Sequence, residues 1–285
     1  MTNPTNTTTN NAGTDVTSTD GTVNPTNGTV TTNGTVTSAD GTEIAYTRLG
    51  SGPDLVMVHC VGVSRATTMQ PTLPAALAEH FTVWTYDRRG KGRSGTTEPY
   101  AVEREYEDLA AILKLTDGPV TVYGFSSGAT LALLAAAAGL PIDTLTVLEP
   151  PLFVEPDPEQ GLLALGRQKL AEGPRVLHEW FQTEIVGVPE EVLSQLPPLS
   201  EEDLSNAPSL LHELTFLPGT PPERFTGIQQ RAALIASEAT APEILAWGRQ
   251  LEEAMPNARA VVLPGEWHGV DDATLTGAIA DFAKN

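Results

Sequence analysis

Ser126 stands in the middle of the stretch GFSSG (124–128), where a serine hydroxyl could attack a carbonyl carbon. The preceding run PVTVYG (119–124) has the β-branched and aromatic residues of a buried strand, and SSGATLALLAAAAGL has very high helix propensity. Gly124 and Gly128 remove the side chains that would clash where such a strand and helix approach closely. A G-x-S-x-G turn between strand and helix predicts a nucleophile elbow with Ser126 as the nucleophile. The alternative is a packing turn without chemistry.

A serine nucleophile needs a base, and the chain has five histidines. His268, in LPGEWHGV, follows the last predicted strand and would lie at the carboxyl edge of the sheet, where α/β active sites form. In the chain order typical of this motif the histidine comes last, which favours His268 as the base. His59 is predicted to brace a loop and His80 to lie on the surface. His178 and His212 are predicted to be structural or to face a substrate.

The oxyanion that forms during attack needs hydrogen-bond donors. The loop HCVGVS (59–64) follows an early predicted strand, so the backbone N–H groups of Val61 and Ser127 are the predicted pair of donors. Ser127 is also the neighbouring alternative nucleophile, but its N–H is of more use as an oxyanion donor.

The third member, a carboxylate that orients the histidine, has two candidates. Glu149 ends the predicted strand TLTVLE, and a Pro-Pro pair then fixes the chain direction. Glu238 follows the strand AALIAS, where no aspartate is present and Thr240 supplies no negative charge. Glu149 is the preferred acid, Glu238 is the alternative, and a site without a charged third member stays open.

Short apolar runs alternate with helical patterns along most of the chain. The predicted strands are residues 43–50, 54–59, 81–86, 119–124, 144–149, 232–237 and 259–264. Helical patterns lie between most of them and at the C-terminus, which predicts an α/β fold with a mostly parallel sheet covered on both faces. The first two runs are joined by GSGP and predict an antiparallel hairpin at the sheet edge.

Three regions are predicted from composition. Residues 1–38 are rich in Thr, Asn and Gly, with too little apolar surface to offset the entropy of ordering, so they predict a disordered polar tail. The alternative is that its valines form strands of their own. Residues 39–149 and 232–285 form the predicted α/β core. Residues 150–231 are helical and proline-rich, and predict a helical cap inserted between two strands.

Composition narrows the classes of partner. A net charge of −20 disfavours nucleic acid and anionic membranes, and the absence of 18 consecutive apolar residues argues against a membrane span. The chain starts without a secretory signal pattern and has one cysteine, Cys60, so a cytoplasmic protein without disulfides is expected. No heptad or interface strip is evident, and a monomer or dimer is expected.

Four motifs together resemble the α/β-hydrolase superfamily: HCVG, YDRRGKGRSG, GFSSG and GEWHGV. The resemblance runs from about residue 42 to the C-terminus. It implies the α/β-hydrolase fold, with an eight-stranded, mostly parallel sheet flanked by helices and a helical cap insertion. It also implies the order nucleophile, acid, histidine, which Ser126, Glu149 and His268 meet, and a reaction without cofactor or metal. Within YDRRGKGRSG, Asp87, Arg89 and Gly92 are interpreted as structural.

The sequence departs from the family pattern at two places. The usual His-Gly of the oxyanion loop is His59-Cys60, and the usual aspartate after the penultimate strand is missing. An acid after the sixth strand, as Glu149 would be, is similar to the arrangement in pancreatic-lipase-like enzymes.

The expected function is a serine hydrolase that acts on an ester or thioester of a small, partly apolar substrate through an acyl-serine intermediate. One alternative is a non-hydrolytic enzyme on the same scaffold: a lyase, cyclase or acyltransferase. The other is a catalytically silent protein that binds a ligand in the capped pocket.

Overall fold

The strands form a single twisted sheet. The computed structural model describes residues 16–23, 30–153, 155–157 and 159–284. Within these residues the strands are β1 Val16–Val23, β2 Val30–Thr37, β3 Glu43–Gly50, β4 Asp54–Val58, β5 Thr82–Tyr86, β6 Val120–Phe125, β7 Thr144–Leu148, β8 Arg231–Ser237 and β9 Ala258–Leu263. Their order is β1-β2-β3-β5-β4-β6-β7-β8-β9. The seven strands predicted from sequence are found to within one residue at each end.

The sheet is parallel from β5 to β9 and antiparallel from β1 through β3 to β5. The predicted fold class is therefore confirmed. β2 supplies the eighth strand, and β1 adds a ninth at the edge in the described part of the chain.

The predicted hairpin of β3 with β4 is wrong. β3 pairs antiparallel with β5, which lies between β3 and β4. The crossover through the helix Leu73–Leu77 returns β5 to the β3 side of β4. The residues 51–53 then only have to cross one strand, a distance of about 10 Å that three extended residues can span.

The predicted disorder of residues 1–38 is also wrong in part. Residues 16–23 and 30–37 are strands, while residues 1–15 and 24–29 lie outside the described residues. β2 pairs with β3 along its whole length, and alternate residues face the core: Val36 is fully buried and Gly34 lies under the ring of Tyr46. The run VTTNGTVT on an existing sheet edge gains ladder hydrogen bonds and burial that composition alone does not reveal.

Helices cover both faces of the sheet. They are α1 Leu73–Leu77, α2 Val102–Leu113, α3 Ser127–Ala137, α4 Gly161–Glu172, α5 Pro174–Trp180, α6 Glu190–Leu193, α7 Glu201–Asn206, α8 Leu210–Phe216, α9 Pro242–Ala254 and α10 Asp272–Lys284. Of these, α3 is the most deeply placed, because its residues from Ser127 to Ala136 are all buried. None of the helices in the described ranges is long and apolar enough to cross a membrane.

The residues between β7 and β8 form a helical insertion, defined here as residues 150–230. It contains α4 to α8, a turn of π-helix at Phe181–Val186 and two short 3₁₀ turns. Helices α4, α5 and α8 bury their own apolar cluster, which includes Leu163, Leu177 and Leu214. The insertion ends one residue earlier than predicted, because β8 begins at Arg231.

Candidate active site

Ser126 lies in a strained turn between β6 and α3. Its backbone has φ 54° and ψ −125°, and its N–H donates to the carbonyl of Leu148 at 2.9 Å. A Cβ on Gly124 would lie 2.6 Å from Cα of Ala129, and one on Gly128 would clash with the carbonyl oxygens of Val58 and His59. Both glycines are therefore required by the close approach of strand and helix, as the sequence predicted.

Glu149 and His268 are joined by a hydrogen bond across the carboxyl edge of the sheet. Nδ1 of His268 bonds to Oε2 of Glu149. The other carboxylate oxygen, Oε1, accepts from the N–H of Ser237 at 2.8 Å and from its hydroxyl at 2.6 Å. Glu149 is only 1% exposed. Burial raises the pKa of Glu149, but the hydrogen bonds from His268 and Ser237 outweigh it, so the carboxyl pKa lies below its usual range.

The loop that carries His268 is closed by its own backbone. Glu266 and Gly269 form a β-bridge, and the N–H of Gly269 donates to the carbonyl of Glu266 at 3.1 Å. The imidazole packs against Phe125 and Trp267, with ring centroids 4.9 and 5.1 Å away. These contacts hold the ring so that Nδ1 meets Glu149.

Backbone strain concentrates at these three residues. Among the described residues, four non-glycine residues have a positive φ: Ser126 at 54°, Glu149 at 49°, His268 at 56° and Gln160 at 51°. Such conformations cost on the order of 1–3 kcal/mol each and persist where the surrounding structure holds them. Ser126, Glu149 and His268 line the same cavity, so the strain is located where side chains from three separate strand ends converge.

The cavity has a volume of about 260 Å³. Its lining residues are Val61, Ser126, Ser127, Glu149, Pro151, Phe153, Phe181, Ile185, Val186, Gly187, Leu217, Ala241, Glu243, Ile244, Trp247, Trp267 and His268. The residues Val61, Ser126, Ser127, Glu149 and His268 belong to the core and form the polar side of the cavity, called the floor here. The helical insertion and α9 supply most of the apolar wall. This combination suits a small ligand with one polar group directed at the floor.

The floor holds hydrogen-bond donors that the fold leaves unused. Val61 and Ser127 both line the cavity. Neither backbone N–H takes part in a turn, loop or cap hydrogen bond of the described residues. Ser127 is the first residue of α3, where the N–H groups of a helix have no partner within the helix and the dipole favours negative charge.

The hydroxyl of Ser126 and Nε2 of His268 have no hydrogen bond to each other or to other groups in the described part of the chain. Both residues line the cavity. Catalytic hydrogen bonds of this kind often tighten only when substrate is bound.

Buried ion pairs fix the helical insertion on the core. Arg88, after β5, bonds to both carboxylate oxygens of Glu105 at 2.6 and 2.7 Å and to Glu213 of α8 at 2.9 Å. Lys91 also reaches Glu213, at 3.2 Å. All four side chains are at most 1% exposed, and two cations balance two anions. Loss of one member would leave a buried charge unpaired, so the network holds α8, and the cavity wall that follows it, in one position.

The motif YDRRGKGRSG acts structurally, as the sequence predicted. Asp87 accepts from the N–H groups of Arg65 and Arg93 at 2.8 and 3.0 Å. Arg89 bonds to both oxygens of Asp108 at 2.7 Å. Gly92 has φ 53° and passes so close to Asp87 that a Cβ would lie 2.6 Å from its Oδ2.

A family comparison agrees with the fold. The model of the alpha/beta hydrolase family matches residues 55–277. This chain belongs to the alpha/beta hydrolase family.

Individual family members give different degrees of similarity. An alpha/beta hydrolase of known structure from Sphaerobacter thermophilus DSM 20745 is 39% identical with a TM-score of 0.75, covering 87% of this chain and 99% of that one. An uncharacterised hydrolase of Bacillus subtilis (strain 168), YraK, is 39% identical over 97 residues, 33% of this chain. That match spans only 35% of the length of YraK.

More distant structures share the fold alone. The enol-lactonase from Burkholderia xenovorans LB400 is 21% identical with a TM-score of 0.68, covering 86% of this chain and 98% of that one. A thermophilic esterase from Thermogutta terrifontis is 20% identical with a TM-score of 0.67, covering 88% and 98%.

Other candidates from the sequence lie outside this hydrolase site. Glu238 is exposed and does not line the cavity. His59 is 3% exposed, with Nε2 2.5 Å from the hydroxyl of Thr85 and Nδ1 3.3 Å from that of Thr68. Cys60 points into the core beside Tyr123, and burial raises the pKa of its thiol to about 11. The cysteine that replaces the family's glycine therefore changes the core and not the cavity.

Sequence reasoning missed Ser237 and the tryptophans of the cavity wall. Ser237 is the last residue of β8 and is fully buried. The available signal was a small polar residue at the end of a strand beside the candidate acid. Trp247 lies in a helical pattern that does not single it out, and only the fold shows that it lines the cavity.

Replacing Ser237 by alanine removes one donor from Glu149. The carboxylate loses the 2.6 Å hydroxyl bond but keeps the backbone N–H of residue 237. We expect kcat for a model ester to fall roughly tenfold with little change in KM, because Ser237 contacts Glu149 and does not itself line the cavity. Steady-state kinetics checks this. The matched control is Thr240→Val, which removes a buried hydroxyl without a partner. An equal loss of kcat in both variants contradicts the role of Ser237.

Two buried neutral histidines predict a loss of stability at low pH. Burial lowers the pKa of His59 and of His212 to about 4 from the ordinary 6.5. The unfolded chain therefore binds more protons between these values, so the stability due to each neutral ring is complete above pH 6.5 and is lost as the pH falls to 4. The loss is about 3 kcal/mol for each ring.

His212 offers a variant that isolates this effect. Its ring stacks on Tyr100 with centroids 3.8 Å apart and planes at 4°, so His212→Phe keeps the stacking and removes the titration. Urea unfolding at pH 7 and pH 4 should show that the variant loses about 3 kcal/mol less than the parent. An unchanged pH dependence would mean that His212 titrates normally in the folded chain.

Proposed function

We propose that this chain is a serine hydrolase that cleaves an ester or thioester of a small, partly apolar substrate. The observation that carries the proposal is the convergence of Ser126, His268 and Glu149 on one cavity, with Glu149 already bonded to His268. Membership of the alpha/beta hydrolase family supports the general class. The ester or thioester specificity rests on the chemistry of the site.

In the proposed mechanism, Ser126 attacks the carbonyl carbon of the substrate. Nε2 of His268 accepts the hydroxyl proton, and a bond forms between Oγ and the acyl carbon. The carbonyl oxygen becomes an oxyanion, which the N–H groups of Val61 and Ser127 stabilise. The bond to the leaving group then breaks, and His268 returns the proton to the departing alcohol or thiol.

The acyl-serine is then hydrolysed by the same groups in reverse. His268 takes a proton from water, the hydroxide adds to the acyl carbon, and Ser126 leaves with the proton. Glu149 stays ionised throughout and stabilises the protonated imidazole. Its low pKa and its two bonds from Ser237 suit this role.

The helical insertion acts as a cap in this proposal. Phe181, Ile185 and Leu217 line the wall opposite the floor. They would hold the apolar part of the substrate and limit its length. The small volume of the cavity favours short acyl chains over long ones.

Two measurements test the proposal. A fluorophosphonate probe should label the protein stoichiometrically, and the modified peptide should contain Ser126. Turnover of p-nitrophenyl esters or acyl-thioesters of increasing length, in water enriched in heavy oxygen, should place one heavy oxygen in the acid product. Labelling without turnover points to a silent site, and turnover without heavy oxygen in an acid points to a lyase or acyltransferase.

A further inference from the structure

The cavity is lined by carboxylates and by no cationic side chain. Glu149 and Glu243 are its acidic residues, and no lysine or arginine of the described chain is among the lining residues. Glu149 is buried and engaged by His268 and Ser237. Glu243 lies in the first turn of α9 and is exposed, so it forms the free anionic group at the solvent side of the cavity.

Aromatic rings surround the same space. Trp247, Trp267, Phe153 and Phe181 all line the cavity. Trp247 follows Glu243 by one helical turn on α9, so the two side chains occupy neighbouring positions on the same face. Trp267 lies beside His268, with ring centroids 5.1 Å apart. The lining therefore has one tryptophan ring beside the proposed base and another one helical turn from Glu243.

Aromatic faces together with a carboxylate favour one ligand chemistry. The face of a tryptophan attracts a cation, and quaternary ammonium groups are recognised by aromatic cages in this way. A carboxylate-bearing ligand would lose its hydration here without gaining a cationic partner. The net charge of −20 also attracts cations from solution.

We propose that the cavity selects esters whose alcohol or acyl part carries a compact ammonium group, with Glu243 and Trp247 as its binding residues. This inference rests on the proposed ester hydrolysis where it is tested by kinetics. The ammonium would sit at the mouth of the cavity while the carbonyl lies at Ser126. The chemical step is the hydrolysis already described, and the ammonium takes no part in bond changes.

The kinetic test compares two esters of the same shape. The butyryl ester of choline carries a trimethylammonium group, and the butyryl ester of 3,3-dimethylbutanol carries a tert-butyl group in its place. We expect kcat/KM for the cationic ester to exceed that for the neutral ester by roughly five- to tenfold at low salt. The ratio should fall to about half or less in Glu243→Gln. Glu253→Gln is the matched control, since it removes the same charge from α9 outside the cavity, and it should keep the parent ratio.

A binding test does not depend on catalysis. Choline and 3,3-dimethylbutanol are titrated against the Ser126→Ala protein by calorimetry. Choline should bind several-fold more tightly, and Glu243→Gln in the same background should reduce that preference.

The outcomes separate the two proposals. A preference for choline without turnover of these two esters, of p-nitrophenyl esters or of acyl-thioesters supports the ammonium site and overturns the proposed hydrolysis. Turnover of the neutral ester with a ratio of one or below, or with a ratio that Glu243→Gln leaves unchanged, overturns the ammonium site alone. Equal binding of choline and its neutral analogue also overturns it.

Discussion

Ser126→Ala should abolish ester turnover, with kcat falling on the order of 10⁶-fold, while the melting temperature stays near that of the parent. The loss is large because the acyl intermediate has no other nucleophile to form on. Stability should hold because alanine keeps Cβ and the turn, and because the Ser126 hydroxyl has no hydrogen bond in the described part of the chain. Steady-state kinetics and thermal unfolding on the same preparation check both parts.

The neighbouring serine is the control for this experiment. The hydroxyl of Ser127 is buried and has no hydrogen-bond partner, and its proposed contribution is the backbone N–H, which alanine retains. Ser127→Ala should therefore keep turnover within a few-fold of the parent. If Ser127→Ala abolishes fluorophosphonate labelling and Ser126→Ala does not, the nucleophile is Ser127 and the proposed mechanism is wrong.

The parallel half of the sheet was predictable because its strands β4 to β8 are buried on both faces, and only the edge strand β9 is partly exposed. Every residue of DLVMV (54–58) and TLTVL (144–148) is buried, and apolar residues outnumber polar ones in both runs, as is typical of parallel strands covered on two faces. The same alternation of strands and helices determines which strand ends meet at the carboxyl edge. Ser126, Glu149 and His268 could therefore be assigned to one edge from the sequence.

The antiparallel edge was not predictable by the same reasoning. The pairing of β3 depends on which strand the α1 crossover places beside it, and a short GSGP linker suits a hairpin equally well. β2 contains few apolar residues, and it gains ladder bonds to β3 and β1 and the burial of Val36. Neither contribution is visible in composition.

The identity of the acid depended on side-chain direction, which a sequence does not give. Glu149 and Ser237 end neighbouring strands, and register places Leu148 beside Ile235. Glu149 turns back toward β8 in a left-handed conformation, with its N–H bonded to the carbonyl of Ile235 at 2.9 Å. Glu238 follows Ser237 by one residue, and its side chain is exposed to solvent. The direction of the chain at the end of a strand, which changes from one residue to the next, therefore decides whether Glu149 or Glu238 reaches His268.

Glu149→Gln should lower kcat about 10³- to 10⁴-fold, with a much smaller change in KM. The amide keeps the size of the side chain but removes the charge that stabilises the protonated imidazole, and it leaves Nδ1 facing a group that can present N–H in place of oxygen. Folding should survive, because Ser237 can still donate to the amide oxygen. Glu238→Gln, which removes a carboxylate one strand away, should leave kcat within twofold of the parent.

The pair of variants also separates the three sequence-based possibilities for the acid. A loss in Glu149→Gln alone supports Glu149 as the orienting carboxylate. A loss in Glu238→Gln alone would require the His268 loop to rearrange so that the imidazole leaves Glu149, which the β-bridge between Glu266 and Gly269 opposes. Unchanged kcat in both variants would mean that Ser126 and His268 work without a charged partner, and the positive φ of Glu149 would then need another explanation.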